Sequence, residues 1–442
     1  MIKKEMDAFA AKAGQLCFEH DNINDELYTK YNVNRGLRDI NGVGVLTGLT
    51  NISLIDAFKV EDGKRIAIDG QLWYRGYNIR SLIDELEENE FGFEKTAYLL
   101  LFGEKPDEEK LEEFNKVLAS CRTLPSNFTR DVIMKAPTAD IMNSMTKSIL
   151  TLASYDKKIN GDIAVNISQC LGIIAVFPML AVYGYHAYCH YVKNGSMYIH
   201  RPSKELSTAE NFLRILRPDM KYSALEAKVL DVALMLHMEH GGGNNSTFTT
   251  RVVTSSGSDT YSAIAAAMSS LKGSRHGGAN IKVMEMMQDI RKNVHDVTDE
   301  EEIERYLSLM LEGKAFDGKG LIYGMGHAIY SVSDPREKAL KEYVGKLAAE
   351  KGRDKDIILY ENVEKTATSL IAKKRKIYKG VSPNVDFYSG FVYDMLGIPV
   401  ELYTPLFAIA RVVGWSAHRI EELICMNKII RPAYMSVMDK KE

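Results

Sequence analysis

The chain has only five cysteines in 442 residues, and none stands in a Cys-x-x-Cys pair. Cys17, Cys121, Cys170, Cys189 and Cys425 are scattered and odd in number. That argues against a disulfide framework and a zinc ribbon, and fits a reducing compartment. No long basic stripe appears, and a formal net charge of −3 carries no nucleic-acid footprint. The first residues lack an apolar core and carry acids early, at Glu5, Asp7 and Glu19. Neither a secretory signal nor a transit peptide is expected, and the expected location is cytoplasmic. Long apolar runs are missing too. The most apolar stretch, 171–185, is short for a membrane span and contains Pro178, so a buried core helix is expected there.

What is present is an ordinary globular composition, 45% hydrophobic and 26% charged. The length exceeds one ordinary core and implies two domains. Residues 52–76 alternate weakly around an Asp62-Gly63 turn signal, which predicts a small hairpin. Beyond Tyr77 the apolar period is helical almost everywhere. Ser81-x-x-Asp84, Ser207-x-x-Glu210 and Ser223-x-x-Glu226 read as capping boxes, and Pro106-Asp107 as a helix start. No strand–helix alternation and no internal repeat appears. The expected fold class is all-α, a large and a smaller helical domain with a minor N-terminal β-hairpin. A Lys/Glu-rich composition after Gly277 marks the smaller domain, with Asp354-Lys355-Asp356 as a charged connection. The expected division is 1–276 and 383–442 for the large domain and 277–382 for the small one.

Four segments set polar groups beside glycines, where backbone can approach a ligand closely. His237-Met-Glu-His240-Gly-Gly-Gly-Asn244-Asn245-Ser246 ends a helix, so its histidines could cap carbonyls or, three apart, begin a metal site. No third ligand stands at a recognisable spacing. His276, in Arg-His-Gly-Gly-Ala-Asn, precedes a helical run. A helix N-terminus favours a neutral imidazole, which can donate to a developing oxyanion without becoming charged; a surface turn histidine is the plainer reading. Gly324-x-Gly326-His327 runs on to Asp334-Pro335-Arg336, either a reactive loop or a helix cap. Asp386, in Pro-Asn-Val-Asp-Phe-Tyr-Ser-Gly, has apolar neighbours. Desolvation would make it a usable base, whereas the commoner use of Asp here is as an N-cap. Arg411 and Arg431 stand in apolar surroundings and imply carboxylate partners, internal or substrate. His186 and His190 have metal-ligand spacing on an aromatic-rich segment, where packing is the better reading.

Together and in order, these segments resemble the citrate synthase family. The match runs from Arg35-Gly-Leu-Arg-Asp through Ile-x-Ile-Asp-Gly-x-Leu-x-Tyr-Arg-Gly-Tyr77 to Arg431, nearly the whole chain. The resemblance implies an acyltransferase condensing acetyl-CoA with oxaloacetate, or propionyl-CoA in a 2-methylcitrate synthase. It implies catalytic roles for His276, His327 and Asp386. It implies an oxaloacetate pocket of His240, Asn244, His327, Arg336, Arg411 and Arg431, the last reaching across a homodimer. No metal and no further cofactor is implied, and no nucleic-acid or membrane partner. The family often has a base four residues after the Gly-x-Gly histidine, near CoA phosphate; here it is Ser331. Lys373, Lys374 or Arg375 are the candidates to replace it. A metal-dependent hydrolase and a non-catalytic relative are the competing classes, and retention of all three catalytic residues disfavours the second.

Overall fold

The computed structural model describes residues 2–39, 43–62, 64–87, 90–158, 161–326, 329–375, 381–425 and 428–438. The chain divides into two compact units, 1–49 and 50–442. The first holds α1 (Ile2–His20) and the short α2 (Glu26–Lys30), followed by an irregular arm in which Arg38 forms isolated bridges with Arg35 and Gly44.

The second unit begins with β1 (Ser53–Glu61), β2 (Lys64–Tyr74) and the two-residue β3 (Tyr77–Asn78), an antiparallel sheet in the order β1-β2-β3. Ser53 pairs with Tyr74 and Glu61 with Lys64, with a bulge between Asp56 and Phe58. Asp62 turns the hairpin at φ +51°. The expected hairpin is therefore present, and Gly63 of its turn lies outside the described residues.

Helices follow, most with a polar cap that the sequence announces. α3 (Ile79–Asp84) starts earlier than Ser81 suggested. Asn78 is extended and its side chain takes the Arg80 N–H at 2.9 Å, which leaves Ser81 inside the helix. α4 (Phe93–Phe102) and α5 (Glu108–Cys121) come next, with Asp107 capping α5 and Pro106 just before it. A single π-turn at Thr129–Ile133 leads to α6 (Ile141–Ala153) and the 29-residue α7 (Ile163–Tyr191). By length and composition α7 could cross a bilayer, but 61% of its apolar window is buried against protein, as a core helix requires. α8 (Thr208–Leu216) and α9 (Ala224–His237) both carry complete capping boxes. α10 (Asn245–Ser255), α11 (Thr260–Leu271), α12 (Ala279–Asn293) and α13 (Glu300–Leu311) follow. Asp334 caps α14 (Pro335–Glu350), with Pro335 at its first position as expected. Asp354 and Asp356 form the first turn of α15 (Asp354–Arg375) rather than a loop, where acids complement the positive end of the helix dipole. α16 (Val385–Met395) and α17 (Tyr403–Cys425) complete the chain.

One apolar cluster extends from Ile52 to Ile420. α17 is its axle, packing on α4, α7, α9, α10 and α11, while α14 and α12 pack on α16. Gly414 lets α17 come close to the chain leaving α9. A Cβ there would stand 2.5 Å from Glu239 Oε2 and closer still to the Met238 carbonyl oxygen. Gly414→Ala is therefore expected to cost about 1–3 kcal/mol by overpacking. A lower urea midpoint than wild type, at equal slope, checks this.

Candidate active site

Four loops and one helix face build the site. Along α17, Arg411, Gly414, Trp415 and His418 are spaced i, i+3, i+4 and i+7 and so share one side. That side lies along the segment from His237 to Ser246. Arg411 Nε donates to the His237 carbonyl at 2.8 Å, Trp415 Nε1 to Ser246 Oγ at 3.1 Å, and His418 Nε2 meets Glu239 Oε1 at 3.0 Å.

The loop before α14 is tied to the loop before α16. Gly326 N donates to the Ser382 carbonyl at 2.7 Å, Asn384 N to the Gly324 carbonyl at 2.9 Å, and Asn384 Nδ2 to the Gly326 carbonyl at 2.9 Å. Gly324 and Gly326 take φ of +77° and +86°, which an L side chain rarely adopts. Gly324 also faces Phe387, where a Cβ would stand 2.9 Å from the ring. His327 itself lies outside the described residues, as does Ala328. Ser331, where the family often has a base, is half-buried.

Asn384, not Asp386, caps α16: its side chain accepts from Asp386 N at 3.0 Å. The capping reading of Asp386 is thereby corrected. Asn384, extended and already outside the helix, takes the N–H and leaves the Asp386 carboxyl free for other work. Burial pushes that carboxyl up to about 6 from its ordinary 3.8; Arg336 and Arg411 pull against the rise and Asp334 adds to it. These charges identify the neighbours, so Asp386 stands in one electrostatic field with both arginines.

Arg336 is buried and locked to Asp334, Nε to Oδ1 at 3.0 Å and NH2 to Oδ2 at 2.7 Å. Burial opposes its charge, but Asp334 holds it protonated. Arg411 differs. It too is buried, yet no carboxylate of the described residues pairs with it, and its NH1 has no partner among them. Burial lowers it to about 10, while Glu239 acts from a distance to raise it. Its guanidinium also stands over the Phe407 ring at 4.7 Å. A buried guanidinium with an open N–H is a ready seat for an anion.

His276 closes a turn, with its N–H on the Gly273 carbonyl at 2.8 Å, shortly before α12. Burial and then the Arg411 charge push its imidazole down to about 4, so it is neutral at pH 7. Its Nε2 lies 3.0 Å from Ser246 Oγ, which accepts from Trp415 Nε1–H and donates at 2.9 Å to Asn244 Oδ1. Ser246 has one proton to give. If Asn244 presents oxygen, that proton goes to Asn244 and His276 must carry its own on Nε2. If Asn244 presents its NH2, Ser246 donates to Nε2 and the His276 proton sits on Nδ1. The orientation of Asn244 therefore selects which histidine nitrogen is a donor.

His240 is buried with its ring edge-on to Tyr330, centroids 5.5 Å apart. His237 is held elsewhere, Nε2 to Tyr393 OH at 2.7 Å and stacked on Phe407, so the two histidines are committed to different neighbours. Among the described residues no three His, Cys, Asp or Glu side chains could share an ion. His186 is buried with its ring 5.6 Å from Tyr198. Arg431 is exposed on the C-terminal arm. Lys373 is exposed, Lys374 pairs with Glu312 at 3.0 Å, and the side chain of Arg375 is outside the described set.

Residues 41–433 match the family model described as citrate synthase, C-terminal domain. The chain belongs to the citrate synthase family. It is thus an enzyme of the acyltransferase class. Similar relatives include a citrate synthase from Synechocystis, 35% identical over 84% of this chain and 86% of the relative. A 2-methylcitrate synthase from Shewanella oneidensis is also 35% identical, over 84% and 90%. Among solved structures, citrate synthase from Pyrobaculum aerophilum superposes with a TM-score of 0.75 at 27% identity, covering 92% and 93%. That from Thermoplasma acidophilum, in ternary complex with carboxymethyl coenzyme A and oxaloacetate, gives 0.74 at 26%, covering 90% and 96%. The all-helical fold expected of the family is the fold observed.

Sequence reasoning did not single out Ser246, Glu239, Trp415 or His418. The signal for the last two was available, since they continue the helical face that begins at Arg411. Ser246 and Glu239 lie within the polar segment that begins at His237, but they gain a role only from α17 across from them.

Asp386 also leaves a mark on stability. Because its folded-state value is raised above the unfolded one, its contribution is most favourable below about pH 4 and declines as pH rises through 6. Asp386→Asn is expected to stabilise the protein at pH 7.5 by about 2–3 kcal/mol, with the gain fading toward pH 4. Thermal unfolding of both proteins at the two pH values checks it; an equal difference at both would contradict the desolvated carboxyl.

Proposed function

We propose that the enzyme condenses acetyl-CoA with oxaloacetate and water to give citrate and CoA. The observation that carries this reading is Asp386: a carboxyl raised to about 6, in the field of two buried arginines, one with an open N–H. In this reading Asp386 removes a proton from the thioester methyl group, a step for which water offers no adequate base at neutral pH. His276 donates to the thioester oxygen as the enol forms, from Nδ1 once Asn244 turns its NH2 toward Ser246 and so leaves the Ser246 proton for Nε2. A preorganised donor of this kind contributes about 3–4 kcal/mol. His327 polarises the oxaloacetate ketone and protonates it as the new carbon–carbon bond closes. Water then hydrolyses the citryl thioester and CoA leaves.

His240, Asn244, Arg336 and Arg411 hold oxaloacetate, its carboxylates on the guanidinium groups. Arg431, on an exposed arm that also shows Tyr434 and Met438 to solvent, completes the pocket of a second subunit in a homodimer. Residues 277–382 act as the smaller domain, which closes over the site and excludes water during enolisation. Lys373 and Arg375 serve the CoA phosphates, since Lys374 is engaged by Glu312. The chemistry so assigned requires no metal. The five free cysteines support a reducing cytoplasm.

A second reading, propionyl-CoA condensation to 2-methylcitrate, is favoured by one observation. Relatives with the two names are equally similar, 35% identical in each case. The difference is room for one methyl group, about 1–3 kcal/mol of discrimination.

Release of CoA thiol from either acyl-CoA, with oxaloacetate and a chelator present, tests the reading and orders the two substrates. Oxaloacetate-dependent release is expected with both, faster with acetyl-CoA. Absence of release with either would overturn the assignment. Asp386→Asn is expected to lower kcat by about 10²–10⁴ while oxaloacetate binding is retained. For the wild type, kcat/KM should fall below a pH of about 6 as Asp386 takes up its proton, with no separate loss from His276 until about 4. A pH profile of the free enzyme with an acid limb well away from 6 would contradict the role given to Asp386.

A further inference from the structure

Glu239 is fully buried and ionised, and nothing in the reaction uses it. Its surroundings are built. Oε1 receives two hydrogen bonds, from His418 Nε2 at 3.0 Å and from Ser53 Oγ at 3.0 Å. His418 has no choice of tautomer: Arg251 donates to its Nδ1 from Nε at 3.1 Å and from NH2 at 2.7 Å, which leaves the ring proton on Nε2. Arg251 in turn is held by Glu421 and, at 2.8 Å, by Glu422. The Glu239 main chain is pinned as well, its carbonyl accepting from Tyr74 OH at 3.0 Å.

The other oxygen behaves differently. Oε2 has no partner among the described residues and lies against α17 at Gly414, one helical turn from Arg411. Arg411 NH1 is likewise without a partner. Opposite charges one turn apart in a buried site attract strongly and would be expected to pair. Here they are kept apart, although each stabilises the ionised form of the other.

We propose that Glu239 is a positioning residue for the dicarboxylate substrate. It is the internal counter-charge that makes a buried, unpaired Arg411 tolerable, and His418 and Ser53 hold it off the N–H groups that the substrate carboxylate must take. The inference rests on the reading of Arg411 as a carboxylate clamp. It adds the reason why Arg411 stays vacant until oxaloacetate arrives: its natural partner is already committed to two other donors.

The test measures oxaloacetate binding by calorimetry, together with KM and kcat, on the full-length enzyme. Ser53→Ala removes one restraint at a half-buried position, and His418→Leu removes the other. Either frees Glu239 to close on Arg411, raising Kd and KM for oxaloacetate roughly tenfold or more, since a buried charge-assisted bond must then be displaced. The kcat at saturation should change much less. Glu239→Gln, which cannot form that ion pair but still accepts from His418, should bind oxaloacetate at least as tightly as wild type. In Ser53→Ala/Glu239→Gln the wild-type Kd should return. A merely structural network would lose kcat and stability together and would not be rescued by a second substitution.

Unchanged Kd in both Ser53→Ala and His418→Leu, or no rescue in the double variant, would overturn the proposal. Arg411→Lys separates it from the reading beneath. Weakened binding in Arg411→Lys with silent Ser53 and His418 variants removes only the role of Glu239. Normal binding in Arg411→Lys removes the clamp itself.

Discussion

Everything in the site depends on how one side of α17 meets the chain that leaves α9. Arg411, Gly414, Trp415 and His418 rise along that side at helical spacing, and each touches the stretch between His237 and Ser246. The contact is possible only because Gly414 has no side chain, so two backbones can touch. It sets the direction of the Arg411 guanidinium and the position of the Ser246 hydroxyl. Through Ser246 it sets the place of His276, which belongs to another loop altogether.

The second dependence is electrostatic. Arg336, Arg411, Asp334 and Glu239 are gathered in a region that water hardly reaches, with half-buried Asp386 in the field of both arginines, and each ionisation there is costly alone. The structure answers by pairing them unequally. Arg336 is anchored by Asp334 through Nε and one terminal nitrogen, Glu239 is held through one oxygen by His418 and Ser53, and Arg411 and Asp386 are left underpaired. That imbalance is where reactivity resides. A fully paired Arg411 would have nothing for a substrate carboxylate, and an Asp386 neutralised by a contacting arginine would be too weak a base. Distance between the charges, rather than their number, keeps both available.

Much of the fold was legible in the sequence because caps and apolar period are local signals. The boxes at Ser207 and Ser223 and the Asp334-Pro335 start stand where the chain announces them. The departures share a cause. At Ser81 and at Asp386 two polar side chains compete for the same helix start, and the winner, Asn78 or Asn384, is the one already in extended backbone. Asp354 and Asp356 looked like a connection because acids cluster in loops, yet the same acids suit a first helical turn.

By itself the sequence determined which residues are available for chemistry, an imidazole beside glycines, a carboxyl beside aromatics, arginines among aliphatics, and the helical scaffold that carries them. Only the tertiary structure decided which of them meet. Asp386 holds its proton up to about 6 because packing takes its carboxyl largely out of water, and His276 stays neutral because burial and Arg411 oppose its charge. Glu239 is kept from Arg411 because residues from β1 and α17 converge on it. Those effects depend on distance and on exclusion of water between segments far apart in the chain, and neither quantity is written in any local run of residues.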